Sequence, residues 1–113
     1  MGKIIVSQNA ISKIAAIATE KCYGVVGLYP IKLGDRFLYF FGKSTPTRGI
    51  ETRIDNSKVK INLYVIIQGG IKVSEVAQTI IEQVTYEIKK FTHIKDVDVN
   101  VIVKGVKREE YAE

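Results

Sequence analysis

The sequence predicts an α+β fold built as a two-layer sandwich, with two helices on one face of a four-stranded mixed sheet. Three observations carry that prediction. Two runs of alternating residues flank a short polar turn, from Gly49 to Asp55 and from Val59 to Ile67. Two other stretches place apolar residues at helical spacing. A final run alternates Val97, Val99, Val101 and Val103 with polar residues. The order read along the chain is β-α-loop-β-β-α-β.

Lys3 to Ser7 reads as a short opening strand. Ser7 or Asn9 then suits a helix N-cap, because either side-chain oxygen accepts an orphan backbone N–H. Ile11, Ile14, Ala15, Ala18 and Cys22 form one apolar stripe at helical period. Gly24 stands where a left-handed C-terminal cap is wanted. Cys22 lies on the stripe, so it is expected as a small buried hydrophobe and not as a nucleophile.

In the alternating pair, Ile50, Thr52 and Ile54 fall on one side, and Val59, Ile61, Leu63, Val65 and Ile67 continue that pattern after the turn. Asp55-Asn56-Ser57 is turn chemistry, so the two runs predict a β-hairpin. One apolar face predicts one covered face and one wet face. After Gly69-Gly70, Ser74 is the expected cap of a second helix. There Val73, Val76, Ala77, Ile80, Val84, Ile88 and Phe91 keep helical spacing, with Glu75 in the first turn and Lys89 and Lys90 near the end. Residues 104–113 are highly charged and are expected to fray. A single domain over residues 1–106 follows, with a long loop at 24–49 and a charged tail at 107–113.

Composition narrows the function. The chain has 113 residues, 46% hydrophobic and 26% charged, which is ordinary for a folded domain and argues against disorder. One cysteine and one histidine exclude a disulfide framework, a multi-thiolate zinc site and a His-pair metal site. No apolar run approaches the length of a signal peptide or a membrane span. A cytoplasmic location follows as the expectation, with any membrane contact made peripherally or through a partner. No phosphate loop and no nucleophile–base pattern is present. His93 reads as a complement to the end of the second helix, and Asp96 and Asp98 as a solvated strand face. No enzyme, no cofactor and no metal are expected.

The net charge is +5, from 17 basic and 12 acidic residues. All of the excess lies before residue 50, which suits an acidic partner such as a phosphate backbone or an anionic lipid. Residues 24–49 also hold both prolines, five of the nine glycines and five of the ten aromatics. Connections this long in a compact domain usually carry function. Within it, Arg36-Phe37-Leu38-Tyr39-Phe40-Phe41-Gly42-Lys43 sets aromatic rings between basic groups. Rings bury area while Arg and Lys meet anions, so Tyr29, Arg36, Phe37, Tyr39, Phe40, Phe41 and Lys43 are the candidate partner-binding residues. Phe37, Phe40 and Phe41 could equally cap the open end of the core. A second reading comes from Gly24-Val25-Val26-Gly27. A GxxG between helices clamps a nucleic-acid backbone in KH domains, and the basic first half suits an RNA- or DNA-binding module. The paired valines lack the cations that such a clamp gains from.

Several segments together resemble the alkaline shock protein family, an envelope stress-response family common in Gram-positive bacteria. They are Gly2-Lys3-Ile4-Ile5-Val6-Ser7, the Gly24-Val25-Val26-Gly27-Leu28 after the first helix, Val59 to Gln68 followed by Val73-Ser74-Glu75-Val76-Ala77, and Val97 to Val106. The resemblance spans about residues 2–106 and rests on structural glycines and strand valines. It implies a small non-enzymatic cytoplasmic protein that self-associates and reaches the inner face of the membrane through a separate membrane-bound partner. It implies a role in envelope stress or envelope homeostasis, and it carries no catalytic residues. This chain departs from commoner members in being basic, and in having Lys21-Cys22-Tyr23 where a Glu-Val-Glu-like stretch is usual.

Overall fold

The computed structural model describes residues 5–29 and 49–108. Helix α1 spans Gln8–Glu20, strand β1 Val25–Leu28, β2 Ile50–Asp55 and β3 Lys58–Gln68. Helix α2 spans Val73–Thr92 and strand β4 Asp96–Lys107. The expected class holds: two helices share one core with a four-stranded mixed sheet.

The hairpin forms as read. Asn56 and Ser57 both take positive φ, 47° and 71°. Two such residues in succession match the twist of the flanking strands and make a tight two-residue connection. β3 is the spine of the sheet. β4 runs parallel to it along its whole length, from Lys58 opposite Asp96 to Gln68 opposite Lys107. On the other side of β3, β2 pairs antiparallel with residues 58–63 and β1 pairs antiparallel with residues 65–67.

Alternation sends Val59, Ile61, Leu63, Val65 and Ile67 to one face, and all five are fully buried. They meet Ile11, Ala15 and Ala18 of α1 and Val76, Ile80, Val84 and Ile88 of α2. Such a stripe on each helix is what a single covered sheet face needs. Cys22 closes the end of the α1 stripe. Its thiol donates to the Ala18 carbonyl at 3.4 Å, and burial pushes its pKa up.

Three polar residues sit in this core. Ser12 and Thr52 share a buried hydroxyl–hydroxyl hydrogen bond of 2.7 Å between α1 and β2, and Thr19 donates to the Ala15 carbonyl at 2.8 Å. Replacing Thr52 with valine strands the Ser12 hydroxyl without its partner. A loss of about 1–3 kcal/mol is expected for Thr52→Val, largely recovered when Ser12→Ala is added. Denaturant titration of the two variants checks this as one half of a double-mutant cycle.

Five expectations need correction. Ile5 to Ser7 form no strand, and residues 1–4 lie outside the described residues. Ile5 is 84% exposed, and Ser7 is committed instead to capping α1 by accepting the Ala10 N–H at 3.0 Å. The fourth strand is β1, inside the stretch expected as loop. Ser74 does not cap α2, which starts one residue before it with Lys72 as N-cap and no side-chain cap bond. Phe91, placed on the core stripe, is 60% exposed. β4 continues to Lys107, so Lys104 to Lys107 do not fray, because Gly105, Val106 and Lys107 stay in register with Ile66, Ile67 and Gln68. Residues 109–113 lie outside the described residues.

Candidate interaction surfaces

Of the seven candidate partner-binding residues, the structure describes one. Arg36, Phe37, Tyr39, Phe40, Phe41 and Lys43 lie outside the described residues. Tyr29 is half-buried at the end of β1. Its N–H donates to the Tyr64 carbonyl at 2.7 Å. On the return, the Tyr64 N–H donates to the Gly49 carbonyl at 2.9 Å. Tyr29 and Gly49 are therefore both bonded to one and the same residue of β3. Gly49 has φ +75°, and a Cβ there would lie 2.7 Å from the Tyr29 carbonyl oxygen. Only glycine lets the two ends meet this closely.

Around this junction the sheet face opposite the helices carries an ordered polar ladder. Asn100 donates to the Asn62 side-chain oxygen at 3.1 Å, and Asn62 donates to Glu51 at 3.2 Å. The Tyr64 hydroxyl donates to the same Glu51 oxygen at 2.8 Å. Three strands are thus tied by side chains on that face, and the Tyr64 ring is held in place. Nearby, the Lys104 ammonium lies 5.4 Å from the centre of the Tyr29 ring, a cation–π arrangement. Sequence reading marked Asn62 and Tyr64 only as polar positions of an alternating strand, and missed Glu51, Asn100 and Lys104 as parts of a site. Their grouping depends on strand register, which no local pattern reveals.

The helical layer offers a second surface. Ile14, Ile17 and Ala18 of α1 and Phe91 of α2 line an apolar groove of about 260 Å³, with Lys21 and Glu87 at its rim. Ile17 is 56% exposed. Phe91 thus keeps helical spacing yet faces this groove and not the sheet.

Other candidates resolve simply. His93 ends α2 as a left-handed cap residue, φ 62°, with its N–H on the Lys89 carbonyl at 2.9 Å. Asp96 and Asp98 face Lys58 and Lys60 across the β3–β4 ladder. Gly24-Val25-Val26-Gly27 is not a loop between two helices, since Val25 to Leu28 form β1. The geometry by which a GxxG clamps phosphates is therefore not built here. Among the described residues no helix is long and apolar enough to cross a membrane, and no group of three His, Cys, Asp or Glu could hold a metal ion.

Residues 1–108 match the model of the alkaline shock protein 23 family, described as having a cell envelope-related function. The chain belongs to this family. The alkaline shock protein match covers the helices, the sheet and the junction at Tyr64 together. Among relatives, the uncharacterized protein YloU of Bacillus subtilis is 30% identical over 107 residues, covering 94% of this chain and 89% of the relative. The uncharacterized protein Spy1535 of Streptococcus pyogenes is 30% identical over 108 residues, covering 94% of this chain and 80% of the relative. Among solved structures, a MamM-CTD variant superposes with a TM-score of 0.50 at 14% identity, covering 87% of this chain and 99% of that one. At that identity the likeness is one of fold.

Proposed function

We propose that this alkaline shock protein family member is a non-enzymatic, cytoplasmic interaction module at the cell envelope. It associates with itself and with a membrane-associated protein partner, and it serves envelope stress response or envelope homeostasis. The partner docks on the aromatic–basic segment, with Tyr29, Arg36, Phe37, Tyr39, Phe40, Phe41 and Lys43 as the contact residues. The family's envelope-related description supports this reading. One structural observation carries it. Tyr29 and Gly49 are both bonded to the backbone of Tyr64, so residues 30–48 are inserted in the sequence at one point of the sheet. A rigid scaffold presenting a single such insertion is how folds commonly host recognition.

Phe40→Ser combined with Phe41→Ser tests the docking. In cells that contain the native envelope, wild type is expected to sediment with the membrane fraction. The double variant is expected in the supernatant, with an unchanged far-UV circular dichroism spectrum. Equal sedimentation of both proteins would refute docking through these rings. Tight binding of single-stranded RNA at low salt, falling steeply as salt rises, would instead favour a nucleic-acid partner.

A further inference from the structure

The outer edge of β4 has a feature of its own, although its Lys104 also touches the Tyr29 ring. β4 is twelve residues long and pairs only with β3, so its other edge carries no strand among the described residues. A long unpaired edge is a template for another strand, and natural proteins normally protect it with charge, bulges or short length. Here the charges have a direction. Asp96 and Asp98 stand in the first half, and Lys104 and Lys107 in the second. A parallel copy of the strand would set like charges side by side. An antiparallel copy can set Asp98 beside Lys104.

We infer that β4 is the self-association surface, pairing antiparallel with β4 of a second copy about a two-fold axis through Val101. The register follows from arithmetic on the strand. With Val101 opposite Val101 of the second copy, Asp98 falls opposite its Lys104, and the two-fold axis creates that pair twice. An isologous contact requires this kind of self-complementarity. Asp98 stands beside Lys60 in the β3–β4 register but forms no ion pair among the described residues. Lys104 takes the extra position where the β3–β4 register shifts, between Val103 and Gly105. Its ammonium over the Tyr29 ring places it on the face opposite the helices, the face that Asp98 also occupies.

The covered face points the same way. On β3 all five inward residues are fully buried, but on β4 only Val99 is, at 7% exposed. Val97, Val101 and Val103 pack on the core yet remain partly open to solvent. In the same register Val99 meets Val103 of the second copy and Val101 meets Val101. The two covered faces then continue into one another and the apolar surface left open at the edge is closed. Main-chain hydrogen bonds supply affinity in such strand additions, and the side chains supply specificity. This inference deepens the self-association named above and rests on that reading.

The full-length protein is studied by sedimentation equilibrium over a range of concentrations, as wild type, Asp98→Lys, Lys104→Asp and an equimolar mixture of the two variants. Wild type is expected to dimerise. Each single variant faces like charge against like charge twice, and its dimer dissociation constant is expected to rise at least about tenfold. In the mixture every new lysine meets a new aspartate, so a heterodimer is expected to return. That recovery also shows that both variants fold. Wild-type dimers with unaltered single variants would overturn the β4 surface while leaving self-association standing. Wild type monomeric at every concentration would overturn both.

Discussion

Truncating Leu63 to alanine is expected to cost about 2–5 kcal/mol of stability, read as a lower urea midpoint with an unchanged slope. Leu63 lies at the middle of β3, paired with Ile50 on one side and Val101 on the other, and it is fully buried. Both flanking strands hold its surroundings in place, so the space left by the missing atoms cannot collapse. Domains of this size are stable by roughly 5–15 kcal/mol, so this one change removes a large fraction of the total. Phe91→Ala is the contrasting case. It removes a larger side chain, yet the ring is 60% exposed, so its loss should be much smaller than that of Leu63. Equal losses at both sites would show that the layer between helices and sheet is not the main core.

Gly49→Val is expected to act on stability and on the docking junction together. The φ of +75° is a region that β-branched residues avoid, and a Cβ would sit 2.7 Å from the Tyr29 oxygen, 3.0 Å from the Leu28 Cβ and 3.1 Å from the Tyr29 nitrogen. Two of these neighbours are backbone and cannot swing aside. Strain of about 1–3 kcal/mol from the dihedral alone is expected, with the collision added to it. β1 must shift, and hydrogen-exchange protection at the Tyr29 and Tyr64 amides should fall more than protection at the Ile61 amide. Gly70→Ala is the control. Its φ is +86°, but nothing lies within 4 Å of the added Cβ, so only a conformational cost of about 1 kcal/mol is expected. If Gly49→Val left the Tyr29 and Tyr64 amides as protected as in wild type, the two ends would not be coupled through Tyr64.

What could be read from residues alone follows the physics of each element. The hairpin and α2 are long and periodic, and their patterns survive into the structure except at the ends, where Ile54 and Phe91 are exposed, because each buries one face. β1 escaped because four residues with a glycine among them carry no usable period. Its identity as a strand comes from pairing with Ile67, Ile66 and Val65, far away in sequence. The opening apolar run misled for the opposite reason. Ile4-Ile5-Val6 looks like a strand, but Val6 packs on the core while Ile5 stays exposed. Ser12 and Thr19 were invisible as core residues because hydroxyls are normally outside. They are buried because Thr52 and the Ala15 carbonyl satisfy them. Tyr29 was legible as part of a candidate site, whereas Glu51, Asn62 and Asn100 join it only through the register of three strands. The charge order along β4 was also in plain view, but it acquires meaning only once β4 is known to be an edge.

The shared root of Tyr29 and Gly49 has a consequence for how such a scaffold diversifies. When the two ends of an insertion already touch, each doubling of its length adds only about 0.6 kcal/mol of closure entropy. A change in the number of residues between Tyr29 and Gly49 therefore carries only a small closure cost. As far as chain closure is concerned, the length of the recognition segment and the stability of the sheet are then free to vary separately.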